Sequence, residues 1–211
     1  MMGRMAGLVE ALRGRRLFTE FPPADRLPSW VAAAEVLIQE GIRAWAFPAG
    51  DGGRIDEALR LYGRRARIGV YGVRTPDELR EAAARGVHFV TSPITTPELV
   101  AAAGGLVPFA PGALTPNEIH YALGVGAECV QLIPTEVLGM AYGRALGALF
   151  AGVELIATGR LERFQCDMSL DSCARVVGLQ SGVLFPDAAT PAASVNLDAL
   201  RRRAQEYGAI G

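Results

Sequence analysis

Lysine is absent from this chain of 211 residues: the 21 basic side chains are all arginine. A guanidinium stays protonated and is not nucleophilic, so no side chain here can add to a ketone as a neutral amine. Schiff-base catalysis from a side chain is therefore excluded. Histidine is nearly as scarce, with only His88 and His120, and the three cysteines, Cys129, Cys166 and Cys173, show no Cys-x-x-Cys spacing. Neither a zinc site nor a disulfide framework is indicated, and the odd number of cysteines suits a reducing cytoplasm. No apolar run approaches the ~18 residues of a membrane span. The basic start MMGRMAGLVEALRGRR lacks the apolar core and small-residue cleavage site of a signal peptide. Charge of one sign is missing too. With a formal net charge of −1 there is no field to steer polyanions, so nucleic acid is not an expected partner and a small metabolite is.

What is present is apolar residue content, 50% of the chain against 20% charged. A chain of this length can bury about 70–75% of the surface it exposes when unfolded, enough for one large core. We take residues 1–211 as a single domain.

The order of elements follows from periodicity and punctuation. Met5, Leu8, Val9 and Leu12 fall at helical spacing and lead into a strand at Leu17–Phe21 that Pro22 and Pro23 end. Ser29 is placed to cap a helix closed by Gly41, and a second strand follows at Ile42–Phe47. Pro48–Gly53 has the glycines of a flexible loop, Ile55–Tyr62 reads as a helix, and a third strand runs from Ile68 to Tyr71. Thr-Pro then recurs at Thr75, Thr96 and Thr115, each after a strand: Ile68–Tyr71, His88–Ser92 and Val107–Ala110. Threonine caps the helix, proline suits its first position, and Glu78 and Glu118 complete capping boxes.

Further strands at Cys129–Ile133, Glu154–Ala157 and Val176–Leu179 bring the count to eight, with helices at Ala141–Phe150 and Asn196–Tyr207. Strand and capped helix repeating about every 20 residues specify βα units. The fold class is α/β, a single (β/α)8 TIM barrel with a short N-terminal helix and a C-terminal helix. Its ligand site is expected at the C-terminal ends of the strands. An open doubly wound sheet is the alternative, disfavoured by the lack of Gly-x-Gly-x-x-Gly after the first strand.

The segment Cys129-Val-Gln-Leu-Ile-Pro-Thr-Glu136 resembles the strand of the 2-keto-3-deoxy-6-phosphogluconate (KDPG) and 4-hydroxy-2-oxoglutarate (KHG) aldolases, whose pattern is near Lys-Phe-Phe-Pro-Ala-Glu. Gly41-Ile-Arg43, Phe89-Val-Thr-Ser-Pro93 and Pro111-Gly-Ala-Leu-Thr-Pro116 resemble that family as well, so the likeness runs from about Leu17 to the C-terminus. It implies a homotrimer. It also places Gln131 where the family has its Schiff-base lysine, Ala46 at the proton-shuttling glutamate, Gly50 at the carboxylate-binding arginine, and Gly72 at a threonine. The phosphate end is better kept: Thr158-Gly159 resembles Thr-Gly-Gly with Arg160 in the last place, and Ser181-Gly182 falls at Gly-Gly-Ser. Pro111, Gly112 and Gln131 complete the expected ligand-binding set.

The resemblance implies a barrel that binds a small anionic ligand, phosphorylated or of the 2-keto acid type, with imine chemistry gone. The alternative is a lyase or isomerase in which Glu20, near the end of the first strand, and Glu136 at the mouth supply acid–base catalysis. Asp51 is a third carboxylate within reach. No cofactor or metal is expected, since two poorly placed histidines would leave a metal an all-carboxylate site. His88, His120 and Cys129 are assigned to structure, Cys129 one layer beneath Gln131 on the same face.

Overall fold

The computed structural model describes residues 7–27, 29–186 and 195–210; Met5, counted above in the first helix, lies outside them. Nine parallel strand segments form the sheet: β1 Leu17–Glu20, β2 Ala44–Pro48, β3 Arg67–Tyr71, β4 Phe89–Thr91, β5 Phe109–Ala110, β6 Gly112–Ala113, β7 Cys129–Leu132, β8 Glu154–Gly159 and β9 Ala174–Leu179. Their order is β5-β4-β3-β2-β1-β9-β8-β7-β6. Because β5 and β6 are separated only by Pro111, the chain itself joins the two edges and closes the barrel. Proline has no N–H to donate, so the ladder breaks there. The Pro111 carbonyl still accepts the Gln131 N–H at 2.8 Å, and the Ser92 N–H donates to Ala110 at 3.0 Å. Eight strands by spacing thus become nine segments, with one strand interrupted.

Ten helices are found among the described residues: α1 Leu8–Ala11, α2 Trp30–Gln39, α3 Gly52–Tyr62, α4 Pro76–Ala84, α5 Pro97–Ala103, α6 Pro116–Gly124, α7 Met140–Leu149, α8 Arg163–Ser172, α9 Ser181–Leu184 and α10 Leu197–Tyr207. The Thr75 and Thr115 capping boxes are formed in full, and Thr96 accepts the Leu99 N–H. Three details differ from expectation. Ser29 precedes α2 without a side-chain cap bond, and α3 begins at Gly52, inside the segment expected to be loop. The third is α8, which lacks a Thr-Pro start and is opened by a Glu162–Gln165 capping box. No helix among the described residues is long and apolar enough to cross a membrane.

The barrel interior follows the period of two. Phe18, Ala44, Phe89, Cys129, Ile156 and Val176 form one buried apolar cluster with Leu8 and Ala11 of α1 and Leu12 just after it, which plug the end where the strands begin. Two residues along, toward the other end, stand Glu20, Thr91, Gln131 and Thr158, all buried and all polar. The floor is therefore dry and the mouth polar. Small residues make room for this: a Cβ on Gly69 would meet the Phe89 ring, and one on Gly178 would collide with Phe18 and Thr158. Outside the barrel, Phe21, Trp30, Trp45, Phe47 and Tyr62 pack edge-on and stacked beneath α2 and α3.

Candidate functional site at the barrel mouth

At the C-terminal ends of β1, β3, β8 and β9 lies a cavity of about 400 Å³, lined by Glu20, Pro22, Pro23, Arg26, Tyr71, Arg160, Gln180, Ser181, Gly182, Phe185 and Pro186. Larger and smaller hollows exist elsewhere, but this one holds a buried carboxyl beside two arginines. Arg26 and Arg160 form no ion pair among the described residues. Their charge is free to meet a ligand.

Glu20 is 6% exposed and opens on this cavity. Burial pushes its carboxyl up to about 8, and a hydrogen bond donated by the Ser181 backbone N–H only partly opposes that rise. Near neutral pH it is mostly a carboxylic acid, able to donate one hydrogen bond and to exchange a proton. Tyr71 faces it from β3. The tyrosine hydroxyl donates to the Phe21 carbonyl at 3.0 Å, and burial, reinforced by the Glu20 charge, holds the phenol protonated far above its ordinary range.

Gln131 sits deeper in the mouth, 1% exposed; its Nε2 donates to the Ser92 carbonyl at 2.9 Å while its Oε1 is buried without a partner. Thr158 Oγ1 is likewise buried and unpartnered. Buried acceptors of this kind call for a donor such as water or a ligand hydroxyl. Pro111 and Gly112 form the seam beside Gln131, and a Cβ on Gly112 would collide with the Ser92 and Pro93 backbone.

Glu136 belongs to a short 3-10 turn, Thr135–Val137, and does not line the Glu20 cavity. Its Oε2 is buried, unpartnered and pressed on Gly159, where a Cβ would collide with it. Asp51 is held by Arg54, whose Nε donates to it at 2.6 Å. Of the three carboxylates considered from sequence, Glu20 alone faces the cavity.

Of the residues expected to cradle an anion, Arg160, Ser181 and Gly182 line this cavity. Arg160 is exposed at the end of β8, and a Cβ on Gly182 would stand 3.6 Å from its Nη2, so the guanidinium borders the glycine without covering it. The Ser181 amide is turned toward Glu20. Cys129 lies in the apolar floor, its thiol donating to the Phe109 carbonyl at 3.3 Å and its pKa raised by burial. His88 Nδ1 accepts the Ile68 N–H at 2.8 Å. Sequence reasoning missed Tyr71 and Arg26. The inward phase of Tyr71 follows from Gly69 two residues earlier, whereas nothing in the sequence brings Arg26 to the mouth.

Residues 24–187 match the family described as KDPG and KHG aldolase. The chain belongs to that family. It is 32% identical over 139 residues to the 2-dehydro-3-deoxy-phosphogluconate aldolase of Treponema pallidum, a match covering 64% of this chain and 66% of that one. The enzyme of the same name from Dickeya dadantii is 28% identical over 161 residues, covering 73% and 75%. The chain thus spans about two thirds to three quarters of the curated relatives it matches. In fold it is similar to the 2-keto-3-deoxy-6-phosphogluconate aldolase of Zymomonas mobilis solved with 3-phosphoglycerate, at TM-score 0.79 and 20% identity over 99% of this chain and 98% of that one.

Proposed function

We propose that this member of the aldolase family binds a small anionic metabolite, phosphorylated or of the 2-keto acid type, at the barrel mouth, and does so without the family's imine chemistry. The observation that carries the reading is the Glu20 cavity, where two unpaired guanidiniums and a largely protonated carboxyl converge. Arg160, Ser181 and Gly182, which line the cavity, are the anion-facing side; Thr158, Gly159, Gln131, Pro111 and Gly112 are outside its lining, and Gln131 and Thr158 hold buried, unpartnered oxygens at neighbouring strand ends. The absence of a side-chain amine supports the negative half, because an imine needs one.

The test is a thermal-shift panel of phosphorylated and unphosphorylated 2-keto acids. A ligand at 100 times its Kd stabilises the fold by about 2.7 kcal/mol. Binders should lose this shift in an Arg26→Gln/Arg160→Gln variant, and a flat response across the panel refutes the binding half. Pyruvate with borohydride tests the other half: no internal peptide should gain mass.

A second reading, a lyase or isomerase working by acid–base catalysis, is favoured by one observation. Glu20 opens on the cavity with its carboxyl pushed up to about 8 by burial, so it can hold and exchange a proton there. Turnover of any panel compound that disappears in Glu20→Gln would establish it. Glu136 enters that scheme only by reaching the cavity from its present position. Family likeness also supports a homotrimer, and the free cysteines a reducing cytoplasm.

A further inference from the structure

Glu20 and Arg26 both line the mouth cavity, and they stand at the two ends of one short segment, Glu20-Phe-Pro-Pro-Ala-Asp-Arg26. Phe21 makes the last bond of this stretch to the sheet, its N–H donating to the Ala46 carbonyl at 2.8 Å. Pro22 and Pro23 have no N–H, so beyond that point the backbone is held through its carbonyls. All three carbonyls are taken. The Tyr71 hydroxyl donates to Phe21 at 3.0 Å, Arg54 Nη2 to Pro22 at 2.5 Å, and the Arg26 N–H to Pro23 at 3.0 Å, within the 3-10 turn Ala24–Arg26. The Pro22 bond comes from α3, outside the barrel. Where Pro22 is fixed, Pro23 follows, and with it the turn that carries Arg26.

Stability alone gives little reason for an arginine here. Arg54 is 8% exposed, and the desolvation of a buried ion pair can exceed its attraction. Its Nη1 is buried without a partner. Asp51 stands at the N-cap of α3, a place where aspartate commonly bonds the helix amides, yet it makes no cap bond. Its carboxylate accepts from Arg54 Nε at 2.6 Å instead. The guanidinium lies over the Phe47 ring, 5.4 Å from its centre, and Phe47 stacks on Phe21 at 4.8 Å. An apolar side chain could cover Phe47 and leave Asp51 free to cap, but it could not donate to the Pro22 carbonyl.

We propose that Arg54 is a positioning residue of the mouth: held by Asp51 and seated on Phe47, it fixes the Pro22 carbonyl and so sets Glu20 and Arg26, on either side of the two prolines, toward one cavity. What that placement serves rests on the anion-binding reading of the mouth.

Two variants test this without ligand. Arg54→Lys keeps a charge beside Asp51, but an ammonium lacks the planar fork that meets a carboxylate and a carbonyl together. Arg54→Met/Asp51→Asn removes both charges and keeps much of the volume. In each, amide exchange at Phe21 and Arg26 should rise by about tenfold or more, with β8 and β9 unchanged. The Glu20 titration should move as well. Burial raises its carboxyl, so the folded chain loses the associated stability as pH rises from 4.5 to about 8. A loosened segment admits water to the carboxyl, and in urea melts that loss should end about one pH unit lower or more. Tyr71, Arg26 and Arg160, which share the cavity with Glu20, are untouched in both variants. A Glu20 titration unchanged in either variant overturns the positioning role. Exchange that rises evenly through the barrel overturns it too, since that is the mark of a purely structural pair. No ligand enters these measurements, so a flat keto acid panel would sink the anion reading and leave this result standing.

Discussion

Glu20 pairs with Ala46 across the β1–β2 ladder, so the buried carboxyl of the mouth stands one strand away from the position where the family resemblance puts its proton-shuttling glutamate. Neighbouring strands lie about 4.8 Å apart, a distance that a glutamate side chain can span. Where the resemblance assigns a carboxyl to β2 the chain has Ala46, and a carboxyl is found beside it on β1.

That placement predicts a pH signature for Glu20. Its carboxyl titrates at about 8 in the folded chain against an ordinary value of 4.5, so between those values the folded state holds a proton that the unfolded state has released. Stability should therefore fall as pH rises through that window, by up to about 1.4 kcal/mol per pH unit, and level off above it. Urea melts from pH 5 to 9 should show this slope in the unmodified protein and lose it in Glu20→Gln. Parallel curves would mean that Glu20 is ionised throughout.

Gly112→Ala tests the seam. Its Cβ would collide with backbone of Ser92 and Pro93, which cannot swing aside as a flexible side chain does. We expect destabilisation of about 1–3 kcal/mol, the range for overpacking, with the β4 and β7 ends disturbed together. Denaturant unfolding with m unchanged checks the first part; faster amide exchange at Ser92 and Gln131 checks the second.

The barrel was legible in the sequence because its signals are local. Thr-Pro-x-Glu marks helix starts whatever surrounds it, and short apolar runs mark strands. The break at Pro111 was not visible as a closure, since the sequence does not show that β4 pairs with the segment before it and β7 with the segment after it. Gln131, Thr158 and Arg160 could be placed through the family pattern and by counting along strands. Arg26 could not, because its route to the mouth depends on how the chain turns after Pro22 and Pro23. The position of Glu136 against Gly159 was equally hidden: a residue two places past a proline has no phase to count from. Where function depends on contacts between loops, sequence periodicity has little to say.

Assembly gives a further test. The family likeness predicts a homotrimer, and Val137, Met140, Leu149 and Phe164 are exposed apolar side chains that a neighbouring protomer could cover. Light scattering should give three times the protomer mass across micromolar concentrations. A single protomer mass throughout that range would remove the trimer.

Replacing Gln131 by lysine should supply the first step of imine chemistry and little more. The side chain at this position is 1% exposed, in a strand whose neighbours Val130 and Leu132 are fully buried. Desolvation there lowers an amine's pKa toward a nucleophilic form. Pyruvate and borohydride should then add mass to the peptide carrying residue 131, where the unmodified chain gains none. Turnover should stay low, because Ala46 and Gly50 supply neither proton transfer nor a carboxylate clamp, and a missing general acid–base alone typically costs about 10²–10⁴ in rate. Glu20 sets the size of that deficit. If its proton reaches the bound keto acid, Gln131→Lys will outperform Gln131→Lys/Glu20→Gln in aldol cleavage; equal rates would show that the carboxyl one strand over does not stand in for the one missing from β2.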